Sequence, residues 1–325
     1  MTQLCIGIDI GGTNTVFAAI DKMGNTAAQA HIPTVGAATI EEYCDDLTTA
    51  IRELIHGLED RPEILAIGVG APNGNYYKGT VEFAPNLPWT HVLPLCELLH
   101  ARISLPVYLT NDANAAAIGE GLFGAAKGLK DYIVVTLGTG LGSGIVVQGQ
   151  VVYGSTGFGG ELGHVIVEQG GRDCGCGRKG CLERYASVTG LVHTLREKIA
   201  ESDAPSGLRF VPVSELEGSA IADAAKAGDE FALATFEDLS ATLGLALANA
   251  VAITSPEAIF LFGGLAKAGD LLLEPTRRHM EAQLLDVFKG TVRLELSALL
   301  DSNAGMLGAA ALAWNEISAP NAPKA

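Results

Sequence analysis

The sequence is poor in positive charge and in long apolar runs. Lysine and arginine number 21 against 37 aspartate and glutamate residues in a chain of 325, which gives a formal net charge of −16. Because nucleic acids and anionic membranes attract basic surfaces, this balance argues against both as partners. The apolar runs are interrupted well before the roughly 20 residues that span a bilayer. We therefore expect a soluble protein with enough chain for two domains.

Two common nucleotide-binding motifs are also missing. No Gly-Lys-Ser/Thr loop of Walker type occurs, and no Gly-x-Gly-x-x-Gly opens a helix after a strand. Glycine itself is abundant at 40 residues, and it clusters directly after apolar runs, where a backbone approaches something closely. A phosphate would therefore have to be held by another kind of glycine turn.

Cysteine is scarce, yet three of the six cysteines lie close together. Cys174, Cys176 and Cys181 follow His164, and these four residues are the ligand set of a tetrahedral zinc site. A disulfide would leave one thiol over, and no apolar secretory segment precedes the first strand. A catalytic zinc would need an open position, which four protein ligands do not leave. We expect a structural zinc in a glycine-rich loop with little to bury, and the other thiols indicate a reducing cytosol.

Two carboxylates flank this ligand set. Glu161 precedes it and Glu183 follows it in the sequence. A metal that closes the loop would draw the two carboxylates toward one another and toward the imidazole of His164. This arrangement indicates a polar pocket for a small molecule.

Strands alternate with helices along the chain, which predicts an α/β protein. The predicted strands are residues 4–10, 16–20, 27–33, 64–69, 107–109, 132–137, 144–147, 151–153, 259–262 and 292–296. The predicted helices are residues 39–58, 93–102, 187–201, 231–252 and 304–314. The pattern of strand, glycine turn and strand at 4–20 returns at 132–147, which indicates two similar halves.

A turn of glycines and hydroxyl residues joins two strands in each half, at 9–14 and at 136–143. Converging backbone N–H groups in such a turn can bind a phosphate without a lysine. Taken singly, each turn is more often an ordinary hairpin. Two of them in similar halves, with Gly263 and Gly264 directly after another buried strand, predict a nucleotide held between the halves.

A polar segment, Asn111-Asp112-Ala113-Asn114, ends a strand and begins an alanine-rich helix. Asp112 could simply cap that helix. Ligands in α/β domains bind at the carboxyl ends of strands, however, and more polar groups gather here than one cap requires. From the residues alone, the two interpretations of Asp112 are evenly balanced.

Together these motifs resemble the ROK family of sugar kinases (repressor, open reading frame, kinase) along nearly the whole chain. The resemblance rests on residues 9–13, 84–89, 111–112, 138–142, 160–164 and the block Cys-x-Cys-x4-Cys-Leu-Glu at 174–183. It implies an actin-like ATPase (ribonuclease H-like) fold of two α/β lobes with a structural zinc site. The smaller lobe would comprise residues 1–110 and the final helix 304–317, the larger lobe residues 111–303, and a frayed tail residues 318–325.

The resemblance also implies a role for each matching residue. Asp112 would be the general base and would contact the sugar. The other sugar-binding residues would be Asn86, Asn111, Glu161, His164 and Glu183. Magnesium would lie near Asp9, and the nucleotide would be bound by Gly11, Gly12, Thr13, Gly138, Thr139, Gly140, Gly263 and Gly264. A homodimer in the cytoplasm is usual in the family.

The implied reaction is ATP-dependent phosphorylation of a free hexose, with glucose at its 6-hydroxyl as the predicted substrate. Residues 70–77 depart from the family pattern, so fructose, N-acetylglucosamine and N-acetylmannosamine stay open as substrates, although bulky residues 75–77 leave little room for an N-acetyl group. A sugar-responsive repressor would need a DNA-binding module before the first strand, where only residues 1–3 stand. A non-catalytic sugar-binding protein would not need Asp112 and both glycine turns.

Overall fold

The structure, a computed structural model, describes residues 2–300 and 304–318. Strands in these ranges are β1 Gln3–Ile10, β2 Asn14–Ile20, β3 Thr26–Pro33, β4 Glu63–Gly70, β5 Gly74–Asn75, β6 Thr80–Glu82, β7 Val92–Leu93, β8 Val107–Thr110, β9 Tyr132–Leu137, β10 Leu141–Val147, β11 Gln150–Val151, β12 Ala258–Phe262 and β13 Arg293–Leu296. Helices are α1 Ile40–His56, α2 Leu95–Ile103, α3 Asp112–Phe123, α4 Val188–Ala200, α5 Gly218–Lys226, α6 Glu230–Thr254, α7 Asp270–Gln283 and α8 Ala304–Ser318.

The first of two units contains a five-stranded mixed sheet with the order β3-β2-β1-β4-β8. The first three strands form the predicted antiparallel meander, whereas β4 and β8 extend the sheet in parallel with β1. Nearly every residue of β1 is buried, as expected for a strand covered on both faces. The α/β class with mixed sheets is therefore confirmed.

The two faces of this sheet differ in side-chain size. Gly7 of β1 and Gly68 of β4 face α8, where a Cβ on either residue would lie 2.0 Å or less from a backbone oxygen of that helix. Because α8 is itself rich in buried alanine, its backbone packs directly on the sheet. On the alternate positions of β1, Ile6 and Ile8 pack with Tyr43 of α1 in a separate apolar core.

A five-stranded sheet in the second unit has the order β11-β10-β9-β12-β13. Its β9 and β10 are antiparallel, and β12 and β13 continue in parallel with β9. Both sheets thus place an antiparallel hairpin beside two parallel strands. The repeat predicted from residues 4–20 and 132–147 is present in the topology.

Helix α6 packs against α4, α5 and α7 in the second unit. In the part of the chain that the structure describes, it is the one helix long and apolar enough, by length and composition, to cross a membrane. Core helices pass the same test, and 56% of its most apolar window is buried inside the protein. The prediction concerned uninterrupted apolar runs, and Gly244 and Asn249 interrupt the run in α6.

The two units divide the chain differently from the predicted lobes. The first unit runs to Gly128 and also includes Val151–Gly160 and α8, whereas the second takes in Leu129–Gln150 and Glu161–Leu300. Helix α3 belongs to the first unit because it packs against α8, although the predicted boundary after residue 110 put it in the larger lobe. Of the predicted tail 318–325, Ser318 ends α8 and the remainder lies outside the described residues.

Candidate active site

The carboxyl edge of the first sheet brings the predicted acidic residues to one place. Asp9 of β1 pairs in register with Gly70 of β4, and Gly70 pairs with Thr110 of β8. Asp112 follows two residues after Thr110, at the start of α3. Ligands of α/β units bind at this end of parallel strands. The carboxylates predicted for magnesium and for proton transfer therefore share one edge of one sheet.

Asp9 is half-buried and Asp112 is exposed, yet the protein atoms around them raise the pKa of both carboxylates. Desolvation raises the pKa of Asp9 to about 6, and the negative charge of Asp112 adds to this rise. Desolvation also raises the pKa of Asp112, against the opposing effect of backbone hydrogen bonds at Ala113 and Asp112. Ionising either group is therefore costly, and a bound cation would relieve that cost. Carboxylate oxygens are the ligands that magnesium prefers, so this pair suits it.

In the structure, helix α3 is capped by Asn111 and not by Asp112. Asn111 is the N-cap of α3, and its Oδ1 accepts a hydrogen bond from the backbone N–H of Asn114 at 2.6 Å. Asp112 is the first residue of the helix, and its Oδ1 accepts from the N–H of Ala113 at 2.8 Å. Because Asn111 caps the helix, the Asp112 carboxylate is not needed for that purpose. Capping by Asn111 uses its carbonyl oxygen and leaves its Nδ2 group to a ligand.

The first glycine turn lies against the predicted sugar residue Asn86. The N–H of Gly11 donates to the carbonyl of Asn14 at 3.0 Å, which closes the turn between β1 and β2. A Cβ on Gly12 would lie only 2.6 Å from the backbone oxygen of Asn86. A side chain at position 12 would therefore push the two segments apart. Thr13 and Asn86 are both exposed, so their side chains are accessible to a ligand.

Asp9 has a neighbour that the sequence did not reveal. A Cβ on Gly305, the second residue of α8, would lie 2.1 Å from Asp9 Oδ2. The Asp9 carboxylate therefore occupies the space that any larger residue at position 305 would fill. Only the packing of α8 on the sheet brings these positions together, so no local signal in the sequence could identify Gly305.

The segment that departs from the family pattern is tied into the first unit. Asn75 is fully buried, its Nδ2 donates to Thr156 O at 2.9 Å, and its Oδ1 accepts from the N–H of Tyr77 at 3.2 Å. Tyr76 stacks on Tyr153 with ring centroids 4.2 Å apart and donates to Glu316 at 2.7 Å. The Asn75 amide and the Tyr76 hydroxyl therefore already have partners within the protein.

The second glycine turn connects β9 to β10. Inside it, the N–H of Gly138 donates to the carbonyl of Gly140 at 3.0 Å. Gly263, which comes directly after β12, has φ +100°, and a Cβ there would lie 2.6 Å from the carbonyl oxygen of Leu137. Gly263 therefore packs directly on the base of the turn. A Cβ on Gly264 would meet no atom within 4 Å, so the backbone at Gly264 is open to a ligand.

The predicted zinc ligands form one cluster. The ligand atoms of His164, Cys174, Cys176 and Cys181 all lie within 4.8 Å of one another. The sulfur atoms of Cys176 and Cys181 are 3.6 Å apart, and Cys174 Sγ is 3.8 Å from His164 Nδ1. Zinc bonds of about 2.3 Å to sulfur and 2.0 Å to nitrogen give tetrahedral edges of about 3.5 to 3.8 Å. The four residues therefore fit a structural zinc ion.

Glu183 lies between this cluster and the second glycine turn. Its Oε1 is 2.9 Å from Cys174 Sγ and 3.8 Å from His164 Nδ1. Its Oε2 is 2.7 Å from the position that a Cβ on Gly140 would take. The structure thus brings residues predicted for zinc, sugar and nucleotide into contact. Glu161 is exposed and precedes the 3₁₀ turn Leu162–His164.

Arginine side chains also order the zinc loop, for which the sequence predicts no support except the metal. Arg172 donates to the carbonyl of Arg184 at 2.8 Å, and its guanidinium lies 4.6 Å from the ring centroid of Tyr185. Arg178 donates to the carbonyl of His164, also at 2.8 Å. The expectation of a loop ordered by the metal alone is therefore incomplete, because these contacts cross-link it as well.

Comparison with known families decides the affiliation of this chain. The model of the ROK family matches residues 5–316. The chain belongs to the ROK family. A glucokinase of Streptomyces coelicolor is 37% identical over 315 residues, which cover 95% of this chain and 97% of that protein.

Two further similar proteins indicate the functional range of such chains. The crystal structure of a ROK family glucokinase from Streptomyces griseus, in complex with glucose and AMPPNP, is 35% identical with a TM-score of 0.79. The match covers 95% of this chain and 98% of that one. A putative xylose repressor of Caldicellulosiruptor is 31% identical over 97% of this chain and 79% of its own length. Kinases and repressors therefore both occur among the relatives.

Proposed function

We propose that this protein transfers the γ-phosphoryl group of ATP to the 6-hydroxyl of glucose. One observation supports this reaction above all others: the Asp112 carboxylate is accessible at the carboxyl edge of the parallel strands, its pKa is raised by desolvation, and Asn111 relieves it of the capping role. The similarity to two glucokinases, one of them with glucose and AMPPNP bound, supports the choice of substrates.

In the proposed reaction, Asp112 accepts the proton of the glucose 6-hydroxyl as that oxygen attacks the γ-phosphorus. The bond between the γ-phosphorus and the bridging oxygen breaks, and ADP leaves. Such a transfer asks the protein mainly for positioning and charge neutralisation. The sugar would be held in place by Asn86, Asn111, Glu161, His164 and Glu183.

We assign the nucleotide to the two glycine turns. Backbone N–H groups at Gly11–Thr13 and 138–140 would bind the phosphates, and Gly263 and Gly264 would lie near the adenosine. Asp9 would hold magnesium, which supplies charge neutralisation to the phosphates when bound. The raised pKa of Asp9 supports this assignment because desolvation and the neighbouring charge of Asp112 both disfavour its ionised form, which a cation would stabilise.

We assign structural zinc to His164, Cys174, Cys176 and Cys181. Four protein ligands complete its coordination, so it would hold the loop rather than take part in phosphoryl transfer. Glu183 and His164 would then reach the sugar from a fixed backbone. We further propose an actin-like ATPase fold and a homodimer in the cytoplasm, as the family resemblance implies.

Acceptor groups predominate among the proposed sugar contacts, which favours a hexose with its hydroxyls free. A buried acceptor that loses its hydroxyl partner costs about 1 to 3 kcal/mol, or about five- to 150-fold in kcat/KM. Fructose and the N-acetylhexosamines change this set of hydroxyls, and we therefore expect them to be poorer substrates than glucose.

The test is to measure kcat/KM with ATP for glucose, mannose, fructose, N-acetylglucosamine and N-acetylmannosamine, and to locate the phosphate on the product by 31P NMR. We expect glucose to be preferred and to be phosphorylated at its 6-hydroxyl. A higher value for fructose or an N-acetylhexosamine would refute the substrate and leave a sugar kinase. Sugar binding without ATP consumption would favour a sugar-responsive repressor or a non-catalytic sugar-binding protein.

A further inference from the structure

The start of α4 and the residue Glu183 just before it contact three consecutive residues of the second glycine turn. The N–H of Val188 donates to the carbonyl of Gly138 at 2.9 Å. The hydroxyl of Thr189 donates to the carbonyl of Thr139 at 2.7 Å. Glu183 places its carboxylate against Gly140. None of these contacts is local, since about 50 residues separate the two segments in sequence.

The Thr189 hydroxyl is not needed by its own helix. Ser187 is the N-cap of α4, and its Oγ accepts from the N–H of Gly190 at 3.1 Å. A threonine inside a helix commonly donates back to the carbonyl four residues earlier, as Thr242 does to Asp238 in α6. Thr189 instead donates out of the helix to the turn. Its hydroxyl therefore contributes to the position of the turn rather than to α4.

These two hydrogen bonds fix the direction of particular N–H groups. In a planar trans peptide, the C=O of one residue and the N–H of the next point in opposite directions. Holding the Gly138 carbonyl therefore aims the N–H of Thr139 away from α4, and holding the Thr139 carbonyl does the same for the N–H of Gly140. Parallel N–H groups of this kind bind phosphate oxygens.

We propose that Thr189 is a positioning residue for the nucleotide: by holding the Thr139 carbonyl, it keeps the Gly140 N–H aimed at a phosphate of ATP. This inference rests on the proposed function, because it requires that the turn bind a nucleotide. Loss of the Thr189 hydroxyl should weaken the nucleotide contacts and leave the binding of sugar to the protein unchanged.

The decisive variant is Thr189→Val, which keeps the shape of the side chain and removes the donor. Thr189→Ser keeps the donor, and Thr242→Val is the matched control because it removes a hydroxyl that bonds only within its own helix. Each protein is titrated calorimetrically with AMPPNP and, separately, with glucose, and KM is measured for both substrates.

Loss of one hydrogen bond of ordinary strength corresponds to a change of about three- to tenfold. We expect Thr189→Val to weaken AMPPNP binding and raise the KM for ATP by that factor, with the glucose affinity unchanged and Thr189→Ser close to the wild type. Equal AMPPNP affinity in the wild type and Thr189→Val, or an equal loss in Thr242→Val, would overturn the inference. If the wild-type protein binds no AMPPNP, the proposed function itself fails.

Discussion

The two five-stranded sheets have the same strand order and differ in the residues at the ends of their strands. In the first unit, carboxylates stand at the edge, the half-buried Asp9 at the end of β1 and the exposed Asp112 just after β8. In the second unit, glycines come after β9 and β12, and the Cys/His cluster lies beside the turn. Under the proposed function, one scaffold would support proton and cation chemistry in one unit and anion recognition in the other. The strand order alone could not have distinguished these roles.

The two glycine turns also differ in how they are held. The first turn closes on itself through Gly11 and Asn14 and lies against the backbone of Asn86. The second is held from outside by Val188 and Thr189 at the start of α4. A change in α4 should therefore reach the second turn directly, whereas the first depends on its own hairpin and on residue 86.

The largest expected effect comes from removing the Asp112 carboxylate of the first unit. Replacing Asp112 by Asn should lower kcat roughly 100- to 10,000-fold, the usual range for loss of a positioned proton acceptor. Thermal stability should be unchanged or higher, because the cap is Asn111 and a neutral amide is desolvated at lower cost than a carboxylate. Steady-state kinetics and thermal unfolding measure the two effects.

The matched control is Asn111→Ala, which removes the cap itself. It should lower the free energy of unfolding by about 1 kcal/mol. If Asp112→Asn turned over normally, or if it lost stability as Asn111→Ala does, the Asp112 carboxylate would be structural and its proposed role would be wrong.

Removing one cysteine of the metal cluster in the second unit should have a smaller effect on activity. We expect Cys176→Ser to lose zinc, measured by atomic emission, and to bind glucose about ten- to 100-fold more weakly, because Glu183 and His164 lose their support. The fold should persist, since the strands of both sheets are buried independently of the cluster. Cys96→Ser, which changes a thiol outside the cluster, should keep both zinc and affinity. Wild-type affinity in a metal-free protein would separate zinc from sugar binding.

Much of the fold was predictable because its signals are local. The central strands of both five-stranded sheets come from apolar runs, and the turns at 11–13 and 138–140 come from glycine next to those runs. The sheet of β5, β6 and β7 was not predicted, since strands of two or three residues show no periodicity. Helix α7 was missed because Pro275 interrupts a largely polar sequence.

Within the candidate site, residues carried by motifs were identified and residues that act through packing were not. The zinc ligands have a distinctive spacing in the sequence. Gly305 and Thr189 have no such spacing, since their roles arise from contacts with Asp9 and Thr139 far along the chain. Whether Asp112 or Asn111 caps α3 also could not be decided from sequence, because either residue type can cap a helix.

The smallest expected effect concerns the dependence of stability on pH at Asp9. Its pKa is about 6 in the folded protein and 3.8 as the ordinary value, so between these values the folded state binds more protons than the unfolded state. The contribution of Asp9 to stability therefore falls as the pH rises through this range. Relative to the wild type, Asp9→Asn should gain on the order of 1 to 3 kcal/mol between pH 4 and pH 7.

This gain is measured by denaturant unfolding of both proteins across the pH range, without magnesium and nucleotide. The subtraction of the two curves cancels the titrating groups that do not interact with Asp9, and the coupled change at Asp112 remains in the difference. A difference that did not change with pH would mean that Asp9 has an ordinary pKa, and the argument for uncompensated charge in the first unit would fail.

The most direct test of the proton-accepting role proposed for Asp112 in the first unit is the glucose affinity of the Asp112→Asn protein. The affinity is measured on the same preparation whose turnover has been measured. Isothermal titration with glucose gives Kd without any reaction. We expect a Kd within about threefold of the wild-type value while kcat has fallen at least about 100-fold, because the Asn side chain still offers a hydrogen bond but accepts no proton. A Kd that rises in proportion to the loss of turnover would contradict a proton-accepting role for Asp112.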